Sequence, residues 1–148
     1  MSSAGQLLEA GRIPGERIDQ TIEVSDSANI GTTETVVLEL EVPLVSGRTY
    51  RVWTDVGVGL ATASATRMTV HMREDSVSGA ERQRGQVEID PGTTLQPWPW
   101  ARGFDHEASS TGLKTFVVTL HRNNGSASVK RAAASTHPSI LAVDYVSG

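Results

Sequence analysis

The chain has 148 residues, the length of a single domain, with no cysteine and a formal net charge of −4 at pH 7. The absence of cysteine excludes a disulfide framework, thiol catalysis and cysteine-based zinc sites. The acidic balance argues against a protein that coats nucleic acid. No apolar run is long enough to span a membrane, and the N-terminus lacks the basic start and apolar core of a signal peptide. Valine and threonine, with 16 and 15 residues, favour β-structure. The composition therefore predicts a soluble, β-rich and non-enzymatic protein.

The first 17 residues differ in pattern from the rest of the chain. They combine three large apolar residues, Leu7, Leu8 and Ile13, with glycine and a Pro-Gly pair that stops any longer helix. A frayed terminus is the ordinary interpretation of such a segment. The alternative, which we favour, is an extended arm over residues 1–17 that docks on a neighbouring subunit through these three side chains.

From residue 18 onward, apolar and polar residues alternate as they do in strands with one buried face. In the first of these strands, Ile18, Gln20, Ile22 and Val24 form the expected inward set. No segment has a convincing helical pattern. The expected architecture of residues 18–148 is a small all-β antiparallel sandwich that resembles a jelly roll. It has eight predicted strands, at 18–24, 36–42, 50–56, 67–73, 86–89, 116–121, 126–131 and 139–146.

The connections carry their own signals. The sequence predicts a turn at 45–48, a bend or bulge at 57–59, a solvated loop at 74–85 and a long irregular loop at 93–113. Asn123-Asn124-Gly125 predicts a tight hairpin, because Asn and Gly tolerate the positive φ that such turns need.

Four histidines are the obvious candidates for acid–base chemistry. His71 and His121 fall opposite the apolar faces of their strands, so we expect both to point to solvent. His137 fits a turn residue. His106 lies in the acidic segment 105–107, but neighbouring residues point apart and a metal site there is not favoured. We predict no catalytic residue, no metal and no cofactor.

Carboxylates give little support for catalysis either. Glu39 and Glu41 share one strand face, and nothing in the pattern buries them. The motifs of serine hydrolases, phosphate-binding loops, dinucleotide sites and zinc proteases are missing. A small glycoside hydrolase that uses Glu107 beside Trp100 is the weakest of three functional hypotheses.

The most distinctive short motif is Pro97-Trp98-Pro99-Trp100, which would place both indoles on one side of an extended loop. Three interpretations remain open: a lid that buries both indoles over one end of the sandwich, an anchor for a protein partner, and a carbohydrate-stacking platform. We therefore add Trp98 and Trp100 to the predicted interface residues, beside the three apolar residues of the arm.

The layout as a whole carries a resemblance. Its residues are the arm, Gly-Arg-Thr-Tyr-Arg-Val at 47–52 and Ser-Ile-Leu-Ala-Val-Asp-Tyr at 139–145. Over residues 7–147 the chain resembles small β-sandwich virion proteins of actinobacterial bacteriophages, the head decoration and minor tail proteins. The bias of 11 arginines against 2 lysines fits a GC-rich host.

The resemblance implies a non-enzymatic virion component that is assembled in the bacterial host cytoplasm. Its partners would be major capsid or tail proteins and further copies of itself, in a homo-oligomer such as a trimer, with no nucleic acid and no membrane. The alternative function is a carbohydrate- or receptor-binding β-sandwich module that uses the Pro97–Trp100 loop.

Overall fold

A computed structural model describes residues 13–62, 64–89 and 98–148 of the chain. These residues form strands and connections, with no helix among them and hence none that could cross a membrane. The strands are β1 (Arg17–Glu23), β2 (Thr35–Leu44), β3 (Thr49–Leu60), β4 (Thr66–Glu74), β5 (Glu81–Ile89), β6 (Trp98–Glu107), β7 (Gly112–Gly125), β8 (Val129–Arg131) and β9 (Ser139–Ser147).

The strands make two antiparallel sheets that pack face to face. One has the order β1-β9-β3-β6 with β8 also paired to β3, and the other has the order β2-β7-β4-β5. The pairs β1 with β9, β2 with β7, β3 with β6 and β4 with β5 are nested like one long hairpin rolled up on itself. That nesting is the jelly roll. The predicted all-β, jelly-roll-like sandwich is confirmed.

The core lies between the sheets and follows from strict alternation in the long strands. In β3 the inward residues Tyr50, Val52, Thr54 and Val56 are all buried, as predicted. The turn at 45–48 is confirmed too, with the Arg48 amide donating to the Val45 carbonyl at 3.1 Å. Burying one face of each strand supplies most of the stabilisation of such a sandwich.

The prediction of a long loop at 93–113 is wrong over residues 98–107, which the structure describes as a strand. Residues 98–107 form β6, which pairs with β3 from Val58↔Trp98 to Thr49↔Glu107. As an edge strand, β6 tolerates Pro99 without losing an internal hydrogen bond of the sheet. The strand is hidden in the sequence because Arg102 separates its two large inward apolar residues, Trp100 and Phe104.

Three other local predictions need correction. The predicted solvated loop at 74–85 ends early, because the charged edge strand β5 begins at Glu81. Residues 57–59 continue β3 without a bend. The predicted hairpin at 123–125 does not form: β7 runs through Gly125, whose φ is 93°, and the chain then crosses to the other sheet, where β8 pairs with β3.

The register of β1 differs from the sequence expectation in a way that matters for function. A register shift between Arg17 and Asp19 moves the rest of the strand by one residue. Ile18 still packs against the core, but Ile22 pairs with Ile140 and is 46% exposed. A shift of one residue exchanges the two faces of a strand. The predicted inward position of Ile22 is therefore wrong.

A buried arginine holds the link between β1 and β2. Arg131 is 9% exposed, and its guanidinium donates to the Ser25 carbonyl at 3.1 Å and to the Val37 carbonyl. Hydrogen bonds from a charged donor are stronger than those between neutral groups. Arg131, which belongs to β8, thus holds the connection between β1 and β2 close to the start of β2.

Trp100 fills the space between the two edge strands β5 and β6. Its indole lies against Gly85, where an added Cβ would come within 2.0 Å of Nε1 and 2.7 Å of Cε2. The side chain is 5% exposed, and its Nε1 is buried without a hydrogen-bond partner. Glycine at position 85 is therefore a packing requirement.

Replacing Gly85 with alanine should force the indole or the edge strand to move. We expect Gly85→Ala to lower the free energy of unfolding by about 1–3 kcal/mol, the usual cost of overpacking a core, as measured by urea denaturation followed by circular dichroism. Gly31→Ala is the control, because a Cβ at Gly31 meets nothing within 4 Å. Equal denaturation midpoints for the two variants would contradict this packing role.

Candidate functional site

The outer face of the five-stranded sheet is largely apolar at one end. Ile22 lies opposite Ile140, Ile140 opposite Asp55, and Asp55 opposite Ala101, so one row of side chains crosses all four long strands. We call the exposed and half-buried apolar residues around this row the apolar face; they are Ile22, Trp53, Pro99, Ala101, Pro138 and Ile140.

A concave pocket of about 320 Å³ opens in the apolar face. Its walls come from β3, the start of β6 and the chain before β9. Asp55, Thr136 and His137 give the lining its polar groups, and the rest of the lining, which includes Pro99, Pro138 and Ile140, is apolar. A pocket of this size next to exposed apolar side chains suits contact with a protein side chain or a small ligand.

The opposite end of the same sheet face is charged. Arg17 and Asp144 form an ion pair, and the Trp53 Nε1 donates to Asp144 Oδ2 at 2.8 Å. The Arg17 guanidinium carbon lies 5.0 Å from the centre of the Trp53 ring. Arg51 pairs with Asp105 at 2.5 Å. These contacts fix the Trp53 indole at the border of the apolar face.

The predicted arm is described only from residue 13 onward, so Leu7 and Leu8 lie outside the described residues. Ile13 is 73% exposed. The Gly15 amide donates to the Tyr145 carbonyl at 2.7 Å, and the Tyr145 amide to the Glu16 carbonyl at 2.8 Å. Residues 15 and 16 therefore already extend the pairing of β1 with β9, and the docking of the arm on a neighbour stays a prediction.

The two tryptophans of the predicted interface have different environments. Trp98 is 52% exposed at the start of β6, whereas Trp100 belongs to the core. Trp100 offers no surface to a partner, which corrects its predicted interface role, and the two indoles do not form a joint stacking platform. The lid interpretation is wrong as well: Trp100 is buried, but it lies in a strand and not in a loop over the end of the sandwich, and Trp98 is half exposed. The contact of Trp98 with a partner stays a prediction.

A polar cluster covers the outer face of the other sheet. His71 and His121 do lie on this outer face, but the expectation that His71 points to solvent is wrong, because its side chain is 2% exposed. Its Nε2 lies 2.9 Å from Glu34 Oε1, and its Nδ1 is hydrogen-bonded to Glu81. Arg73 donates two hydrogen bonds to Glu34, at 2.8 and 2.9 Å. Sequence analysis missed these acids because Glu34 lies far from His71 along the chain.

The charges in this cluster stabilise one another. Burial raises the pKa of Glu34, but the hydrogen bonds from Arg73 and the charge of His71 outweigh burial, so the pKa lies below its usual value. The pKa of Glu81 is also lowered, since hydrogen bonds from His71 and a neighbouring arginine outweigh burial. Burial first, and repulsion from His71 second, lower the pKa of His121. The two carboxylates are thus ionised at neutral pH, and His121 is a neutral imidazole.

The acidic segment 105–107 does not converge on a common point. Asp105 points outward to Arg51, whereas His106 points inward, with its Nδ1 3.7 Å from Glu74 Oε1. Glu107 is exposed and lies seven residues from Trp100 along β6, which is about 23 Å in a strand. The catalytic arrangement of the hydrolase hypothesis is not formed.

His106 makes the fold sensitive to mild acid. Burial lowers its pKa below the ordinary 6.5, the nearby Lys114 lowers it further, and Glu74 opposes both. The unfolded chain therefore binds a proton more readily than the folded protein as the pH falls through 6.5. We expect the free energy of unfolding to decrease between pH 7.5 and 5.5, and His106→Gln to make that decrease smaller.

Urea denaturation of both proteins at the two pH values measures this effect. His137→Gln is the matched control, since His137 is an exposed turn residue. If the His106 variant loses as much stability between the two pH values as the unmodified protein, burial of His106 is not responsible.

No protein-family model and no curated protein matches the chain. Several solved structures are similar in fold. One, reported as "CBM4 structure and function", aligns over 95% of this chain and 83% of its own, with 11% identity and a TM-score of 0.42. The infectious bursal disease virus VP2 subviral particle aligns over 88% of this chain and 38% of its own, with 9% identity and a TM-score of 0.40. Dimeric latent PorU from Porphyromonas gingivalis aligns over 91% and 14%, with 10% identity and a TM-score of 0.40.

Proposed function

We propose that this protein is a non-enzymatic structural component of a bacteriophage virion, a capsid decoration or minor tail protein, which assembles through residues 1–17 and the apolar face. The observation that carries the proposal is the register of β1, which turns Ile22 outward beside Ile140 on an exposed sheet face. Single exposed apolar residues are common on proteins, but neighbouring ones such as Ile22 and Ile140 beside a pocket point to an interaction site.

Three further points support a virion role. The jelly roll is a fold of viral capsid domains, although it also occurs in lectin domains and cupins and does not decide function by itself. The sequence resemblance to actinobacterial phage proteins favours the viral member of this group. A net charge of −4 suits a position away from packaged DNA.

The proposed partners are major capsid or tail proteins and further copies of this chain, in a homo-oligomer such as a trimer. β1 is an edge strand of the five-stranded sheet. Residues 13–16 precede its charged end at Arg17, whereas Ile22 lies near its other end, on the apolar face. The arm and the apolar face would therefore make two separate contacts with neighbours. These contacts would cover Ile13 and Ile22, which are 73% and 46% exposed.

A charge placed on the apolar face should prevent assembly without unfolding the sandwich. We expect Ile22→Lys to shift the protein from oligomer to monomer in size-exclusion chromatography with light scattering, and to prevent its incorporation into particles. Leu113→Lys is the control, since Leu113 is 69% exposed and lies on the other sheet.

Removal of residues 1–12 should also prevent incorporation, because it removes the proposed arm with Leu7 and Leu8. The sandwich should stay folded, since the bonds of Gly15 and Glu16 to Tyr145 remain intact. An unmodified protein that stays monomeric at all concentrations and absent from particles would overturn the proposal.

The alternative is a carbohydrate- or receptor-binding module, which the half-exposed indole of Trp98 favours. Aromatic faces of this kind stack on sugar rings. On this hypothesis the protein binds one or more glycans of an array. Trp98→Ala should abolish this binding, whereas Trp53→Phe, at the border of the apolar face, should retain it. If the unmodified protein binds no glycan of the array, the alternative is excluded.

A further inference from the structure

Three side chains from distant parts of the chain bring metal-binding atoms together on the outer face of the four-stranded sheet. Glu34 comes from the residue before β2, His71 from β4 and His121 from β7. Within the described ranges, their ligand atoms all lie within 4.8 Å of one another. This site faces away from the apolar face, so it stands independently of the proposed function.

The geometry of the three atoms matches a metal ion. His71 Nε2 lies 2.9 Å from Glu34 Oε1 and 3.4 Å from His121 Nδ1, and His121 Nδ1 lies 4.0 Å from Glu34 Oε1. A triangle with these sides has one point about 2.0 Å from every corner, and zinc bonds to imidazole nitrogen and carboxylate oxygen are about 2.0–2.2 Å long. The two imidazole rings are stacked at 16° to each other, so they must turn about their side-chain bonds to direct both lone pairs at the ion.

Each of these ligands is held by a second group. Glu81 accepts a hydrogen bond from His71 Nδ1, which fixes the proton there and directs Nε2 towards the other two ligands. Arg73 fixes the Glu34 carboxylate through two hydrogen bonds. The Asn123 side-chain amide lies 3.3 Å from His121 Nε2 and orients that ring. A carboxylate behind a histidine is the usual support of a metal-binding imidazole.

A threonine hydroxyl lies behind the Glu34 ligand. The Thr119 side chain is fully buried directly across from His71. Its hydroxyl lies beside the Glu34 carboxylate and helps to lower the pKa of Glu34. Thr119 therefore supports the ionised form of this ligand.

We propose that Glu34 Oε1, His71 Nε2 and His121 Nδ1 bind one divalent transition-metal ion of the zinc class. Mixed nitrogen and oxygen ligands suit Zn²⁺, Co²⁺ and Ni²⁺, whereas Ca²⁺ and Mg²⁺ prefer oxygen alone. On binding, the ion replaces the direct contact between His71 Nε2 and Glu34 Oε1. Solvent completes the coordination, because the Glu34 and His121 side chains are 18% and 22% exposed and leave an approach open.

The ion would tie the start of β2 to β4 and β7 across the sheet. Ligands that bind the folded state alone stabilise it in proportion to the logarithm of their concentration. The chain, dialysed against EDTA and then freed of chelator, should melt several degrees higher with excess Zn²⁺ and be unaffected by Mg²⁺. Titration with Co²⁺ should give a visible absorption band that saturates at one ion per chain.

His121→Gln is the decisive variant, because His121 is partly exposed and its loss leaves the Glu34–His71–Glu81 contacts in place. It should abolish both the Zn²⁺ shift and the Co²⁺ band, whereas His137→Gln, which changes an exposed histidine elsewhere, should keep both. The proposal is overturned if the unmodified chain shows neither signal, or if His121→Gln keeps them, or if His137→Gln removes them.

Discussion

Backbone pairing along β3 is the interaction on which the rest of the structure depends. On one side this strand pairs with β6 from Thr49 to Val58. On the other side it pairs with β9 from Thr49 to Asp55 and then with β8 from Val58 to Leu60. Two strands that follow each other in sequence thus share one side of β3. The chain between them has to leave the sheet and return, and residues 132–138 do so as one wall of the pocket.

Strands that bury one complete face could be predicted from the sequence, because their alternation is unbroken. β2, β3 and β7 are of this kind, and together with the nested order they fix the jelly roll. The edge strand β6 was missed, and β5 was predicted only over residues 86–89, since an edge strand accepts charge, glycine and proline that an inner strand excludes. The outward position of Ile22 follows from one register shift, which no local pattern signals. Burial of His71 depends on Glu34, which is distant in sequence and close only in the fold.

The two outer faces of the sandwich differ in chemistry, and this difference organises the functional proposals. One face combines exposed apolar side chains with a pocket, so contact with a neighbouring protein would remove apolar surface from water. The other face carries ionised side chains and the cluster around His71, whose desolvation would be costly. If the proposed assembly occurs through the apolar face, the Glu34–His71–His121 group on the opposite face would stay open to solvent and its ions.

The Arg131 guanidinium has a consequence for how copies of this chain can associate. Exchange of a terminal strand between subunits requires the link after that strand to open as a hinge. Here the link after β1 is bound at the Ser25 carbonyl by the same side chain that binds the Val37 carbonyl of β2. Opening the hinge would leave a buried cation without its hydrogen-bond acceptors, and this cost opposes the exchange of β1 between copies of the chain.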